Sequence, residues 1–112
     1  MAKDEAKALE IHFQVAEQGF APAQESLGTL YRLGKDGIPR NPLLALKWYR
    51  KSADQGYAEA MFGIGCLYYN GEGVSKNKQE AKKWFVEAAC RDNISAQMMI
   101  RKEEKRFFSW RF

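Results

Sequence analysis

The chain repeats itself at a spacing of 36 or 37 residues, and this repetition restricts the fold more than any other feature. The segment Ala23–Tyr31 returns as Ala60–Tyr68, 37 residues further along the chain. The segment Gly37–Tyr49 returns as Gly73–Phe85 after 36 residues, so the first copy holds one extra residue, which we place at Asp36. A period of this length is typical of stacked helical hairpins, each of which buries its apolar face against its neighbours.

Within each copy, apolar residues recur every three or four positions, as they do on one face of an α-helix. Leu27, Leu30 and Tyr31 follow this spacing, and Asn41 and Asn77 each stand where a helix N-cap is expected. No alternating pattern typical of a β-strand competes with these signals. The sequence therefore predicts an all-α fold with helices near residues 4–18, 22–33, 42–55, 58–70, 78–91 and 94–106, followed by a basic and aromatic tail at 107–112.

Length and composition are typical of a soluble single-domain protein. The chain of 112 residues can bury a core of its own, and we assign residues 1–106 to one domain. No apolar run approaches the roughly 20 residues of a membrane-spanning helix, so we expect no integral membrane association. The first residues lack the apolar segment of a signal peptide, and we therefore expect a cytoplasmic location.

The positive charge of the chain is concentrated at its C-terminal end. Residues 101–112 include five basic and two acidic side chains, a net +3 out of a total of +4. A nucleic-acid-binding protein typically spreads a basic stripe over one face. Because the rest of this chain is nearly neutral, we do not expect nucleic acid to be a partner.

Four spaced motifs in the repeat point to a known family. Leu-Gly-x-x-Tyr occurs on the first helix, Gly-x-Gly-Val-x-x-Asn in the turn, Ala-x-x-Trp-Tyr/Phe on the second helix and Ala-x-x-Gly-Tyr-Ala at the junction. This pattern resembles the Sel-1-like repeat, a relative of the tetratricopeptide repeat, over about residues 6–97. The resemblance implies a right-handed α-solenoid of antiparallel helix pairs. Arg101 and Glu104 depart from it because they replace Gly and Tyr, which suggests that the last helix is a cap.

The small residues of the repeat predict where helices cross closely. Gly28 and Gly65 are equivalent, and so are Ala16, Ala53 and Ala89. Side chains this small permit close approach of two helices, while the aromatic residues fill the space between hairpins. We expect Gly65→Leu to destabilise the fold by at least roughly 2 kcal/mol through overpacking.

No set of residues in the sequence assembles a reaction centre. His12 is the only histidine, and it holds a core aromatic position of the repeat, so we expect a packed or half-exposed ring. Cys66 and Cys90 offer too few ligands for a zinc site. Cysteine-rich members of the family that the chain resembles join paired helices by disulfides, but Met61 stands where the partner of Cys90 would be. We expect both thiols to be reduced and partly buried, with no catalytic residue, no metal site and no cofactor, and we conclude that the protein is not an enzyme.

A binding surface is the function that the pattern favours. In stacked hairpins the first helix of each pair faces the concave side, and residues opposite its core stripe point into the groove. Aromatic, methionine and arginine side chains, which are enriched at the centres of interfaces, occur there. The predicted groove residues are Glu25, Thr29, Arg32, Phe62, Cys66, Tyr69, Asn70, Met98 and Lys102. The alternative is that the C-terminal helix folds over the apolar members of this set.

The two ends of the chain remain open questions at this stage. Phe108 and Trp110 in the tail either pack back as a cap or contact a partner, and packing back is the more usual role of such a segment. Each end of the repeat array holds an incomplete unit, so weak self-association through the open solenoid ends is a further prediction.

Two functions are consistent with this reading. The first is a non-enzymatic adaptor or scaffold that binds another protein through the concave groove. The second is a dedicated inhibitor, such as a cytoplasmic immunity protein that neutralises a toxin or effector enzyme. A nearly neutral groove argues mildly against a strongly basic toxin, because such pairs rely on complementary charge. The fold alone does not separate the two.

Overall fold

The computed structural model describes residues 3–35 and 37–111, with side chains from 7 to 35 and from 37 to 105. Asp36 lies outside these residues. The described chain is all α-helical and forms antiparallel helix pairs, as predicted. Its helices are α1 Lys3–Glu17, α2 Ala21–Leu33, α3 Pro42–Ala53, α4 Ala58–Asn70, α5 Lys78–Cys90 and α6 Ile94–Arg111. The backbone of α6 continues five residues beyond the expected end at 106, so residues 107–111 extend this helix.

The helix ends follow the local sequence. The side chains of Asn41 and Asn77 accept hydrogen bonds from the backbone N–H groups of Leu44 and Glu80, at 3.1 and 3.0 Å, which confirms both as N-caps. Gly71 ends α4 with a left-handed backbone (φ 71°), and its N–H donates to the carbonyl of Leu67. These caps fix the short turns that hold the paired helices antiparallel.

The helices pack almost entirely on their neighbours in the chain. We call the first helix of each repeat the A helix and the second the B helix, so that α2, α4 and α6 are A helices and α1, α3 and α5 are B helices. The pairs α2–α3 and α4–α5 make the largest interfaces, and α2 also packs directly on α4. The result is elongated, with extents of 56 × 25 × 21 Å. None of the described helices is both long and apolar enough to cross a membrane.

Glycine allows an aromatic ring of the paired B helix to lie against α2 and against α4. A methyl group added to Gly28 would lie 2.7 Å from a ring carbon of Tyr49, and one added to Gly65 would lie 2.5 Å from Phe85. Both rings are buried, at 1% and 3% exposure. Gly63 also contacts the Tyr49 ring, so this side chain is enclosed by glycines of two successive repeats. The role of Gly63 was missed because its equivalent in the first repeat is a serine.

The last helix docks as the A helices before it do. The side-chain amide of Gln24 in α2 donates to the carbonyl of Ala16 at 3.1 Å, and Gln97 in α6 donates to the carbonyl of Ala89 at the same distance. Each bond goes to a carbonyl in the last turn of the preceding B helix that also accepts from a backbone N–H of the following turn. The helix α6 therefore occupies the place of an A helix, although its sequence departs from the repeat.

Candidate protein-binding face

Three rows of equivalent residues run across the A helices, and together we call them the A-helix face. Because the repeats are offset by 37 and then 36 residues, each row has one member on α2, one on α4 and one on α6. The rows are Glu25, Phe62 and Met98; Thr29, Cys66 and Lys102; and Arg32, Tyr69 and Lys105. Eight of the nine predicted groove residues belong to these rows, and Asn70 lies at the end of α4.

On α2 the face is polar and internally hydrogen-bonded. The hydroxyl of Thr29 donates to Glu25 at 3.0 Å and lies 2.8 Å from the hydroxyl of the buried Tyr49. Burial raises the pKa of the Glu25 carboxyl, the bond from Thr29 opposes this, and the carboxylate of Glu59 raises the pKa further. A partner that brought a cation to this side of the face would stabilise the charged form of Glu25.

A carboxylate from the next repeat holds the far end of α2. Arg32 donates to the two oxygens of Glu72 at 3.4 and 3.1 Å, and Arg40 donates to one of them at 2.9 Å. The amide of Asn70 donates to the same carboxylate at 3.1 Å. Burial alone would raise the pKa of Glu72, but these hydrogen bonds and the charge of Arg32 lower it below its ordinary value. Two predicted groove residues, Arg32 and Asn70, thus take part in a link between repeats.

On α4 the face is aromatic and partly covered. Phe62 and Tyr69 pack on the buried Phe85 ring, with centroid separations of 5.6 and 6.1 Å. The hydroxyl of Tyr69 donates to Glu103 of α6 at 2.5 Å, and the ammonium of Lys78 lies 5.1 Å from the Tyr69 ring. The C-terminal helix therefore contacts Tyr69, as the alternative interpretation of this surface expected, and Phe62 and Tyr69 are half-buried.

On α6 the face is exposed. Met98 has 66% of its surface accessible, and Lys102 and Lys105 are also exposed. Met99, the neighbour of Met98, instead packs against the core cluster that contains Phe85. An exposed methionine beside two lysines is the part of the A-helix face that is most accessible to a partner.

The positions singled out for chemistry do not belong to any metal-binding group of histidine, cysteine or carboxylate side chains among the described residues. His12 is half-buried, as expected. Both cysteines are free. Cys66 is partly buried, as expected, and burial raises the pKa of its thiol. Cys90 is exposed rather than partly buried, because it lies at the end of α5. Phe108 and Trp110 belong to the helical backbone of α6, and their side chains lie outside the described residues.

Sequence reasoning missed two acidic residues that organise this face. Neither Glu72 nor Glu103 was singled out from the sequence. Their roles depend on Arg32 and Tyr69, which are 40 and 34 residues away. The one available signal was the unlike charge of Arg32 and Glu72 at the C-terminal ends of successive A helices.

The comparisons with known proteins agree with this architecture. A family model described as the Sel1 repeat matches residues 21–57 and 58–93, which are the α2–α3 and α4–α5 units. The crystal structure of a Sel1 repeat protein from Oxalobacter formigenes is similar at a TM-score of 0.70 and 41% identity, over 73% of this chain and 33% of that one. A protective antigen of uropathogenic Escherichia coli strains, which displays the SLR fold, has a TM-score of 0.75 and 38% identity. That match covers 80% of this chain and 19% of the antigen.

The chain thus spans at most about a third of the length of these two solved relatives. A search of curated protein sequences finds no match. Repeats of this kind generally serve as protein-interaction modules and as non-catalytic scaffolds. Since the family model covers two successive units with their helix boundaries in place, the chain belongs to the Sel1 repeat family.

Proposed function

We propose that the protein is a cytoplasmic adaptor that binds a segment of another protein along the A-helix face. One observation carries the proposal: every row of this face changes from repeat to repeat, whereas a buried position of the A helices stays alanine in all three. The core positions repeat as Ala23, Ala60 and Ala96, and these three alanines are buried. The first row of the face instead changes from acidic Glu25 to aromatic Phe62 and to Met98.

This contrast is typical of a scaffold that presents a specific surface. A small residue at a close contact between neighbouring hairpins keeps its size from one repeat to the next, because the hairpins must fit in the same way. The second row likewise changes from Thr29 to Cys66 to Lys102, and the third from Arg32 to Tyr69 to Lys105. The face therefore differs from helix to helix: it carries one acidic and one basic side chain on α2, aromatic side chains on α4 and two lysines on α6.

The internal contacts of the face define which part a partner can use. Arg32 and Tyr69 already bond to Glu72 and Glu103, so a partner gains most from the exposed side of α6 and from the half-buried Phe62. Met98 supplies apolar area, and Lys102 supplies charge to an acidic group of the partner. Contact with Phe62 would extend the interface toward α2.

The test is affinity capture from a lysate of the source organism, followed by mass spectrometry. The bait Met98→Asp/Lys102→Glu is compared with wild type and with a matched control, Val86→Asp/Lys83→Glu, which makes the same kind of changes on the exposed side of the B helix α5. All four side chains are exposed, so these variants should fold. We expect the proteins captured by wild type to be captured also by the control and to be lost from the Met98/Lys102 variant.

If all three baits retain the same proteins, the A-helix face is not the binding surface.

The affinity of a captured partner separates the two candidate functions. An adaptor should bind several proteins with dissociation constants of about 1 μM, whereas a dedicated inhibitor such as an immunity protein should bind one target at about 1 nM or tighter.

A further inference from the structure

The exposed side of α6 carries a continuous stripe of side chains. Residues three or four positions apart are neighbours on the surface of a helix, and five residues of α6 follow one another at these spacings. All five are exposed, and the two apolar ones, Ile94 and Met98, are exposed at 70% and 66% of their surface. The five residues, which we call the α6 stripe, are Ile94, Met98, Arg101, Lys102 and Lys105.

The α6 stripe is apolar in its first half and basic in its second half. Its two apolar members lie in the first two turns of α6, and its three basic members lie in the following two turns. The two acidic residues of α6 lie beside the stripe. Glu103 is half-buried and accepts a hydrogen bond from Tyr69 of α4, and Glu104 is exposed. Neither acidic side chain therefore interrupts the order of apolar and basic groups along the stripe.

The three basic side chains of the stripe have no ion-pair partner among the described residues. Each of the four ion pairs in that part of the chain joins a glutamate to a basic side chain outside the stripe. Arg101, Lys102 and Lys105 also make no further electrostatic contact there. A partner that carries carboxylates can therefore form charge pairs with them without breaking a contact within the chain, and complementary charge of this kind gives specificity.

The neighbouring helices α4 and α5 show the same order of chemistry. Phe62 of α4 is half-buried and lies in the row of Met98, whereas Tyr69 lies in the row of Lys105. The ammonium of Lys78, at the start of α5, lies 5.1 Å from the centre of the Tyr69 ring, and this lysine is exposed. The surface shared by α4 and α6 is thus apolar in its first row and carries cations in its third row.

We propose that the α6 stripe binds an acidic segment of the partner protein, which places apolar side chains on Ile94 and Met98 and carboxylates beside Lys102 and Lys105. This inference rests on the proposed function, because Met98, Lys102 and Lys105 belong to the A-helix face. From Ile94 to Lys105 the helix rises by about 16 Å, a distance that about five residues of extended chain span. The recognised segment is therefore short, with its apolar and acidic residues in separate blocks.

Two other anionic partners fit the stripe less well. A nucleic acid presents phosphates along its whole length and typically meets a basic stripe spread over one face of a protein, whereas the first half of the α6 stripe is apolar. A helix that binds an anionic lipid surface buries a broad apolar side in the lipid, whereas the stripe offers two apolar side chains. A protein segment can present both kinds of group at the required spacing.

Selection from a phage library of random dodecapeptides on the full chain tests this partner chemistry without the natural partner. We expect the enriched peptides to combine a block of apolar residues with a block of aspartate or glutamate. Synthetic copies that carry a fluorophore then give dissociation constants by fluorescence anisotropy. Raising the NaCl concentration from about 50 mM to about 500 mM should weaken their binding several-fold, because salt screens exposed charges.

A charge-reversal variant and a matched control locate the acidic block. Lys102→Glu/Lys105→Glu should weaken the binding of the enriched peptides by at least about tenfold, because two attractive charges become repulsive. Lys82→Glu/Lys83→Glu makes the same change in net charge on the exposed side of the B helix α5. This control should leave the affinity within about twofold of wild type, because distant exposed charges are screened.

A second variant locates the apolar block and separates this inference from the proposed function. Ile94→Ser/Met98→Ser keeps every charge and should weaken binding by at least about fivefold through loss of apolar contact. If this variant loses binding while Lys102→Glu/Lys105→Glu keeps it, the inference is overturned and the A-helix face remains the binding surface.

Three further results would overturn the inference. They are enriched peptides without an excess of acidic residues, no enriched peptides at all, and equal losses in the charge-reversal variant and its control. Co-sedimentation with phosphatidylglycerol vesicles identifies the other source of negative charge. If no acidic peptide is enriched, and the vesicles bind wild type but not Lys102→Glu/Lys105→Glu, the stripe binds an anionic lipid surface instead of a protein segment.

Discussion

Replacing Gly65 with alanine tests the glycine at which an added methyl group would come nearest to a neighbouring side chain. The added methyl carbon would lie 2.5 Å from Cε1 and 2.7 Å from Cδ1 of Phe85, about 1 Å inside normal carbon–carbon contact. The ring is 3% exposed and is packed by Phe62 and Tyr69, so it cannot move away freely. Overpacking by one methyl group costs about 1–3 kcal/mol. Alanine favours helix over glycine by about 1 kcal/mol, which leaves a net destabilisation of about 0–2 kcal/mol.

Urea unfolding followed by circular dichroism measures this change, provided that the slope of the transition is unchanged. The control is the same substitution in a Phe85→Leu background, where the ring that the methyl group meets is gone. There we expect Gly65→Ala to be neutral or to stabilise by up to about 1 kcal/mol, because only the helix preference remains. If the substitution destabilises both backgrounds equally, the Phe85 ring is not the reason for glycine at this position.

Two further predictions concern polar contacts. Glu72→Gln should lower the free energy of unfolding by about 1–2 kcal/mol at pH 7, because the carboxylate accepts bonds from Arg32 and Arg40. The pKa of Glu72 is lower in the folded protein than in the unfolded chain, where it is about 4.3. Its contribution to the free energy of unfolding is therefore fully present above the unfolded pKa and is lost as the pH falls through the folded pKa. The difference between wild type and Glu72→Gln in urea melts should therefore shrink below about pH 4, and a difference constant down to pH 3 would contradict this account. Tyr49→Phe should lower the free energy of unfolding by about 1 kcal/mol, because the hydrogen bond to Thr29 is lost. The double variant Tyr49→Phe/Thr29→Cys has the same residue pair as Phe85 and Cys66 of the next repeat. It should lose less stability than the two single variants added together. Strict additivity in thermal or urea unfolding would show that the two hydroxyls do not act together.

The sequence predicted the features that depend on local periodicity and failed where contacts join distant residues. The helices, the caps at Asn41 and Asn77 and the crossing at Gly65 follow from spacing along the chain, because helical registers repeat every three to four residues. The carboxylate of Glu72 has partners 32 and 40 residues away, on a turn whose conformation decides which way it points. No pattern of spacing reports that direction.

The accessibility of the candidate face does not follow from the sequence. Eight of the nine predicted residues fall on the three rows because the rows follow the repeat offsets. Their exposure depends on how α6 packs relative to α4. The hydrogen bond from Tyr69 to Glu103 shows that α6 contacts the aromatic part of the face. Arg101 and Glu104 suggested that α6 is unlike a repeat helix, yet Gln97 preserves the bond by which an A helix docks.

The dependence of each helix on its neighbours has a consequence for how the protein folds. Nearly all packing joins helices that are adjacent in the chain, and the direct contact of α2 with α4 reaches only one helix further. Forming these contacts closes only short loops, which favours fast folding. The terminal helices can also unfold while the central helices stay folded, because each helix depends mainly on its neighbours. Tyr49, enclosed by Gly28 and Gly63, spans the boundary between the two complete repeats, and so the last structure to melt should be the segment from α2 to α4.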